Sequence, residues 1–307
     1  MRELILIRTH FFCDATEKFY DFLKRTSGRD VAIVCDETNG GVDVGAGKVK
    51  IPITADSMQK MGLYIPSRFG WLCGDYFLYA GSQLLSAYDR YWMVESDVRM
   101  NFENASEFFD TFSEDASDLL AFHMYKSSGS WYWHSPMSYF TQDVYACLFP
   151  VISISKRAVD FAFSERVKMS SSFDTLVPKD EKRRWPNDES FLISTLMQNG
   201  FATKSLNSPK RAFTSKDTFG VGLPKSDAQL SSQNPDGMIY HPVQAGERFV
   251  NKANSWLTSY INRKSTKEKL QQLFDDVFLE GLRMESSEDE FRKFEDRLAI
   301  ALERAAV

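Results

Sequence analysis

The chain has 307 residues, enough for one large α/β domain or two smaller ones with cores of their own. Hydrophobic residues make up 43% and charged residues 26%, the proportions of an ordinary globular protein. With 42 acidic against 37 basic residues the formal charge is −5, which gives no electrostatic case for wrapping nucleic acid, since that needs a concentrated basic surface.

Cys13, Cys35, Cys73 and Cys147 include no C-x-x-C pair, which argues against a disulfide framework or structural zinc and for a reducing compartment. No run approaches the roughly 20 apolar residues of a membrane span. The apolar start at residues 4–7 is too short for a signal sequence, so the expected location is the cytoplasm.

In chain order, residues 4–9 read as a buried strand. Asp14 caps a helical pattern carried by Phe19, Phe22 and Leu23 that stops at Ser27 and Gly28. Residues 30–35 form a second apolar strand, ending on the polar run 36–40. Strand, helix and strand of these lengths make a right-handed βαβ unit with parallel strands. Ligands of such sheets gather at the carboxyl ends of the strands, where Arg8, Thr9, His10, Asp36 and Glu37 lie. The glycine-rich stretch 41–47 lacks the Gly-Lys-Ser/Thr ending of a P-loop and reads as a flexible loop.

Residues 51–54 are strand-like, a helix opens at Gly74 and Asp75, and the strand 90–94 runs into Glu95, Ser96 and Asp97. A helix over 105–112, a strand over 119–125 and an aromatic, serine-rich loop over 126–139 follow. Then come a strand over 149–155, a helix over 156–164 and a polar stretch over 170–184. Asn187 and Asp188 start a helix over 189–199, residues 203–237 read as a long loop or lid, and charge-paired helices fill 252–304. Together these elements predict an α/β domain over residues 1–250, with a mixed, mainly parallel sheet flanked by helices. A helical extension covers 251–307.

Glu95 and Asp97 leave the end of a buried strand at positions i and i+2. At that spacing two carboxylates can share one divalent cation, and their hard oxygens leave room for a diphosphate, which suits Mg²⁺ or Mn²⁺. The alternative is a strand end with two solvated acids. His241, in a polar turn before Pro242, is either a ligand or a structural histidine. Asp188 and Glu189 stand at a helix start, where acids favour the positive end of the dipole and their pKa is lowered; they serve there as caps or as a base. Trp131, Trp133 and His134 sit among serines in the aromatic loop, which is either a sugar-binding surface or an apolar plug.

The order of elements and three motifs resemble glycosyltransferases of the GT-A fold. Glu95-Ser96-Asp97 is similar to their DxD metal motif, with Glu in place of the first Asp. The string WPNDES at 185–190 resembles the acidic motif that supplies the base of inverting members, and GMIYHP at 237–242 resembles their late histidine. The resemblance runs over residues 1–245. It implies a GT-A-like, Rossmann-type sheet and a UDP-sugar donor bound by Arg8, Thr9, Asp36, Arg68, Asp75, Glu95, Ser96 and Asp97. Mn²⁺ or Mg²⁺ would be held by Glu95, Asp97 and His241. Asp188, or its neighbour Glu189, would be the base of a one-step, inverting displacement, with Trp131, Trp133 and His134 at the acceptor.

A cytoplasmic enzyme of this kind would add sugar to a glycan or lipid-linked acceptor, as in bacterial lipopolysaccharide or capsule synthesis. It would lie peripherally at the inner membrane, its C-terminal helices touching a membrane-associated or protein partner. Two other classes share parts of the pattern. A sugar nucleotidyltransferase would carry a glycine-rich, basic loop where this chain has Thr9, His10, Phe11 and Phe12. A non-catalytic carbohydrate-binding protein with a degenerate transferase fold would not need all three acidic and histidine positions filled.

Overall fold

The structure, a computed structural model, describes residues 1–177, 185–208 and 210–305. In chain order the first half holds β1 (Glu3–Thr9), α1 (Asp14–Thr26), β2 (Asp30–Asp36), β3 (Lys50–Ile53), α2 (Ala55–Lys60), α3 (Phe69–Leu72), α4 (Gly74–Leu84) and β4 (Arg90–Glu95). Next come β5 (Arg99–Asn101), α5 (Ser106–Phe109) with a short 3₁₀ turn (Asp110–Phe112), β6 (Leu119–Lys126), α6 (His134–Ser138) and β7 (Tyr145–Ser155). After these lie α7 (Lys156–Leu176), α8 (Asp188–Gln198), β8 (Thr203–Ser205), β9 (Lys225–Ser226), α9 (Asp227–Ser231), β10 (Met238–Tyr240) and β11 (Val243–Gln244). The chain closes with α10 (Gly246–Asn262), α11 (Lys267–Leu273), α12 (Asp276–Glu285) and α13 (Glu288–Arg304). Two compact units result, one of residues 1–96 and 104–212, the other of residues 97–103 and 213–307.

The first unit is built on a seven-stranded sheet in the order β3-β2-β1-β4-β7-β6-β8. Neighbours pair in parallel at β2–β3, β1–β2, β1–β4 and β6–β8, and antiparallel at β4–β7 and β6–β7. This is the mixed, mainly parallel α/β sheet the sequence predicts. Central strands buried on both faces need apolar residues at every position, not in alternation. Leu4, Ile5, Leu6 and Ile7 of β1 and Tyr91, Trp92, Met93 and Val94 of β4 meet that need, each at most 1% exposed. Leu6 and Met93 join α4, α7 and α8 in one core cluster. Trp92 points the other way, its ring 4.9 Å from Phe109 and 5.5 Å from Phe108.

Several local expectations change. Cys13, not Asp14, occupies the N-cap of α1, and it offers no side-chain hydrogen bond there. α7 runs to Leu176, well past residue 164 and into the expected polar stretch. Its inward stripe of Arg166, Met169 and Phe173 is buried, while the serines at 171 and 172 hydrogen-bond back onto their own helix. The rest of that stretch, 178–184, lies outside the described residues. The segment 203–237 is not a bare loop, since β8 pairs with β6 and β9 with β11. Within 126–139, α6 forms where a loop is expected.

In the second unit, Phe249, Leu257, Leu270, Leu282, Phe291 and Phe294 build a separate core among the four C-terminal helices. Glu285 ties the start of this unit's helices together. Its carboxylate accepts hydrogen bonds from Ser226 Oγ at 2.7 Å, the Ala228 amide at 2.7 Å and the Gly246 amide at 2.6 Å. Among the described residues no helix is long and apolar enough to cross a membrane.

Candidate active site

The strand order places β2 and β3 on one side of β1 and β4 on the other, so the order of successive strands reverses between the parallel neighbours β1 and β4. In open α/β sheets, ligands bind beyond the carboxyl ends of the strands at such a reversal. Arg8, the penultimate residue of β1, and Glu95, the last of β4, stand opposite each other in register. Arg8 Nη1 lies 2.5 Å from Glu95 Oε1 and 3.6 Å from Asp188 Oδ2. Its Nη2 donates to the carbonyls of Gly70 at 2.6 Å and Trp71 at 3.2 Å. One buried guanidinium therefore joins β1, α3, β4 and α8.

Asp188 begins α8, but the cap is Asn187, whose side chain accepts the Ser190 amide at 3.0 Å. Asp188 instead receives the Gly74 amide on Oδ2 at 2.7 Å and the Glu189 amide on Oδ1 at 2.8 Å. That approach requires glycine at 74. A Cβ there would lie 2.4 Å from Arg8 Nη1 and 2.5 Å from Asp188 Oδ2. In the sequence Gly74 reads only as the opening of a helix, and nothing local to it signals a contact 114 residues away.

Two carboxylates, those of Glu95 and Asp188, flank one arginine, and a third, Glu189, follows Asp188 in the chain. The consequence runs against the expected effect of the helix start. Burial pushes the Asp188 carboxyl well above its usual range, against the opposing pull of Arg8. Burial, followed by the charge of Glu95, raises Glu189 to about 7. Desolvation here outweighs the helix dipole, whose reach is limited to modest energies at the first turn.

In the second unit, Asp97 precedes β5 and His241 follows β10. The antiparallel ladder Tyr240↔Arg99 brings the two together, and the Val243 amide donates to the Asp97 carbonyl at 2.7 Å. His241 Nδ1 lies 2.8 Å from the Gly220 carbonyl. A carbonyl can only accept, so Nδ1 carries a proton, and Nε2 faces Asp97 Oδ1 at 3.6 Å. Gln244 Nε2 steadies the other carboxylate oxygen, Oδ2, at 3.3 Å. Glu95 lies two residues before Asp97. Glu95, Asp97 and His241 together could hold a metal ion, with ligand atoms within 4.8 Å of one another. Two hard carboxylates and one imidazole whose far nitrogen is fixed by a carbonyl make a coherent donor set.

The remaining candidates divide. Ser96 donates its amide to the Arg8 carbonyl at 3.0 Å, which continues β1–β4 pairing past Glu95. Thr9 folds its hydroxyl onto the Phe11 carbonyl at 2.5 Å. Asp36 accepts the Thr38 amide at 3.0 Å and abuts Gly70, where a Cβ would fall 1.8 Å from Oδ2. Arg68 is exposed and starts α3 in the left-handed region, at φ 60°. Asp75 does not join this group. It is fully buried and faces Arg166, whose Nε is 2.8 Å away, and it accepts the Tyr79 hydroxyl at 3.0 Å.

The aromatic loop packs on itself and on its surroundings. Trp131 meets Tyr125 at 6.3 Å between ring centroids, Trp133 meets Tyr132 at 4.5 Å, and His134 Nδ1 is 3.1 Å from Ser127 Oγ. Trp133 also lies 5.7 Å from Trp71, a residue sequence reasoning passed over. Its one signal was an isolated tryptophan in the short segment FGWLCG.

No protein-family model matches this chain, and no curated protein matches it. Among solved structures it is similar to the crystal structure of a glycosyltransferase involved in the glycosylation of the major capsid of PBCV-1. That likeness has a TM-score of 0.38 and 11% identity, and covers 83% of this chain and 100% of the other. It is too shallow to carry residue roles across.

Proposed function

We propose that this chain is a divalent-cation-dependent glycosyltransferase that moves a sugar from a nucleotide-sugar, a UDP-sugar by the motif resemblance, to a hydroxyl of a glycan or glycolipid. The observation that carries the reading is the grouping of Glu95, Asp97 and His241, the three positions picked from sequence motifs more than 140 residues apart. Such a cation, Mn²⁺ or Mg²⁺, supplies charge neutralisation for a departing diphosphate. Around it the chain's own side chains position and move protons. Arg8 holds Glu95 and Asp188 in place and fixes the backbone of α3 above them.

Asp188 and Glu189 divide the work. Both Asp188 oxygens receive backbone amides, which suits a positioning carboxylate. Glu189 is half-buried and raised to about 7, which suits a base that takes the acceptor's proton near neutral pH. The motif by itself favours Asp188; burial and hydrogen bonding favour Glu189. Direct attack with Glu189 as base inverts the anomeric centre.

The test is transfer from a panel of UDP-sugars with and without Mn²⁺. Glu189→Gln should keep donor binding while transfer falls by about 10²–10⁴, the scale of a lost general base. Full activity in that variant, or a product with the donor's anomeric configuration, overturns the assignment.

A further inference from the structure

Trp71 combines an anchored backbone with an exposed ring. Its carbonyl accepts from the buried Arg8 guanidinium at 3.2 Å, and its neighbour Gly70 is pressed against Asp36. Helix α3 thus lies over the carboxyl ends of β1 and β2. The indole nevertheless stays 64% exposed. A large apolar ring on a fixed support beside a polar cluster is a surface ready to be covered.

Trp133 lies beside it, with ring centroids 5.7 Å apart and planes inclined at 59°. The two indoles form an open wedge, not a parallel stack. The loop that carries Trp133 also packs on the end of β6. Trp131 packs on Tyr125 at 6.3 Å, and the Tyr125 phenol is raised by burial and then by the charge of Glu189. Tyr125 leaves β6 just past an irregular register where His123 adopts φ 53°, a distortion of the kind that re-aims side chains next to sites. On the same loop Ser128 Oγ and Ser130 Oγ lie 2.8 Å apart at the surface.

We infer that Trp71 and Trp133 form a wedge that receives the pyranose ring of a sugar acceptor on its apolar C–H face, with the hydroxyls of Ser128 and Ser130 meeting the ring's own hydroxyls. The inference rests on the proposed transferase reading and extends it to a residue outside every motif. Inclined planes leave no slot for a flat nucleobase, and serine hydroxyls suit a polyol better than a base edge.

Saturation-transfer NMR with methyl β-D-glucopyranoside and methyl β-D-galactopyranoside, and UMP as control, tests it without cation or donor. At least one glycoside should bind, with saturation concentrated on the C–H protons of one ring face. Trp71→Ala and Trp133→Ala should each weaken it about tenfold, the scale of one aromatic contact, and Trp71→Phe should recover part of the loss. UMP binding should be the same in all variants. Because Trp71 is exposed, circular dichroism of its variants should match the parent. The inference is overturned if neither glycoside binds, if the alanine variants bind them equally well, or if UMP is what they lose. Sugar binding through Trp71 in a chain that transfers from no donor would leave the wedge standing and the transferase reading refuted.

Discussion

Arg166 and Arg8 are both buried guanidiniums paired with carboxylates, and the surroundings of each differ in charge balance. Arg166 faces Asp75 with Nε at 2.8 Å and Nη2 at 3.3 Å. Its plane rests 3.9 Å from the Phe191 ring centroid, and it donates to the Pro186 carbonyl at 3.0 Å. One positive charge meets one negative charge inside an aromatic shell. Arg8 instead answers Glu95 and Asp188 while Glu189 stands next in the chain. Where charges are matched, the pair is scaffold. Where acids outnumber the base, the buried Asp188 and Glu189 hold their protons more tightly and a further positive charge is favoured, which is the electrostatic setting of a reactive site.

The comparison breaks most readily on its scaffold side. Arg166→Ala leaves Asp75 charged in a dry pocket, and removing one partner of such a pair costs about 3–5 kcal/mol. Denaturant unfolding should show that loss; a change below about 1 kcal/mol would mean the pair is not the matched scaffold described here.

A smaller effect distinguishes the reactive side. Glu189 has an ordinary value of 4.5 and is raised to about 7 in the folded chain. The native state therefore favours its protonated form. The associated stability is fully present below about 4.5 and is lost as pH rises through about 7. Glu189→Gln removes this titration, so the parent should lose roughly 1–2 kcal/mol relative to the variant between pH 5 and 8, discounted for partial exposure. Parallel stability curves for the two proteins would contradict the strained cluster.

Much of this was legible in the sequence, for physical reasons that differ between elements. The strands that lead to Arg8, Asp36 and Glu95 carry unbroken apolar runs, because a central strand covered on both faces must be apolar throughout. Glu95, Asp97 and His241 could be picked because carboxylates at i and i+2 past a buried strand, and a histidine before a proline, are local patterns. The length of α7 was hidden because its serine-rich outer face masks the inward stripe that ends in Phe173. Asp75 opens a helix in the sequence, and its pairing with Arg166, 91 residues away, leaves no local trace. Gly74 and Trp71 owe their roles to contacts with Arg8 and Asp188, remote in the chain and without a trace in local composition.

The central claim is that Glu95, Asp97 and His241 form a cation site. Titration calorimetry of the full chain with Mn²⁺ tests it directly, comparing the parent with Asp97→Ala and His241→Ala, each first checked for an unchanged circular dichroism spectrum. The account predicts one Mn²⁺ site in the parent, lost in Asp97→Ala and weakened about 10- to 100-fold or more in His241→Ala. A parent that binds no Mn²⁺, or variants that bind it as tightly as the parent, would contradict it.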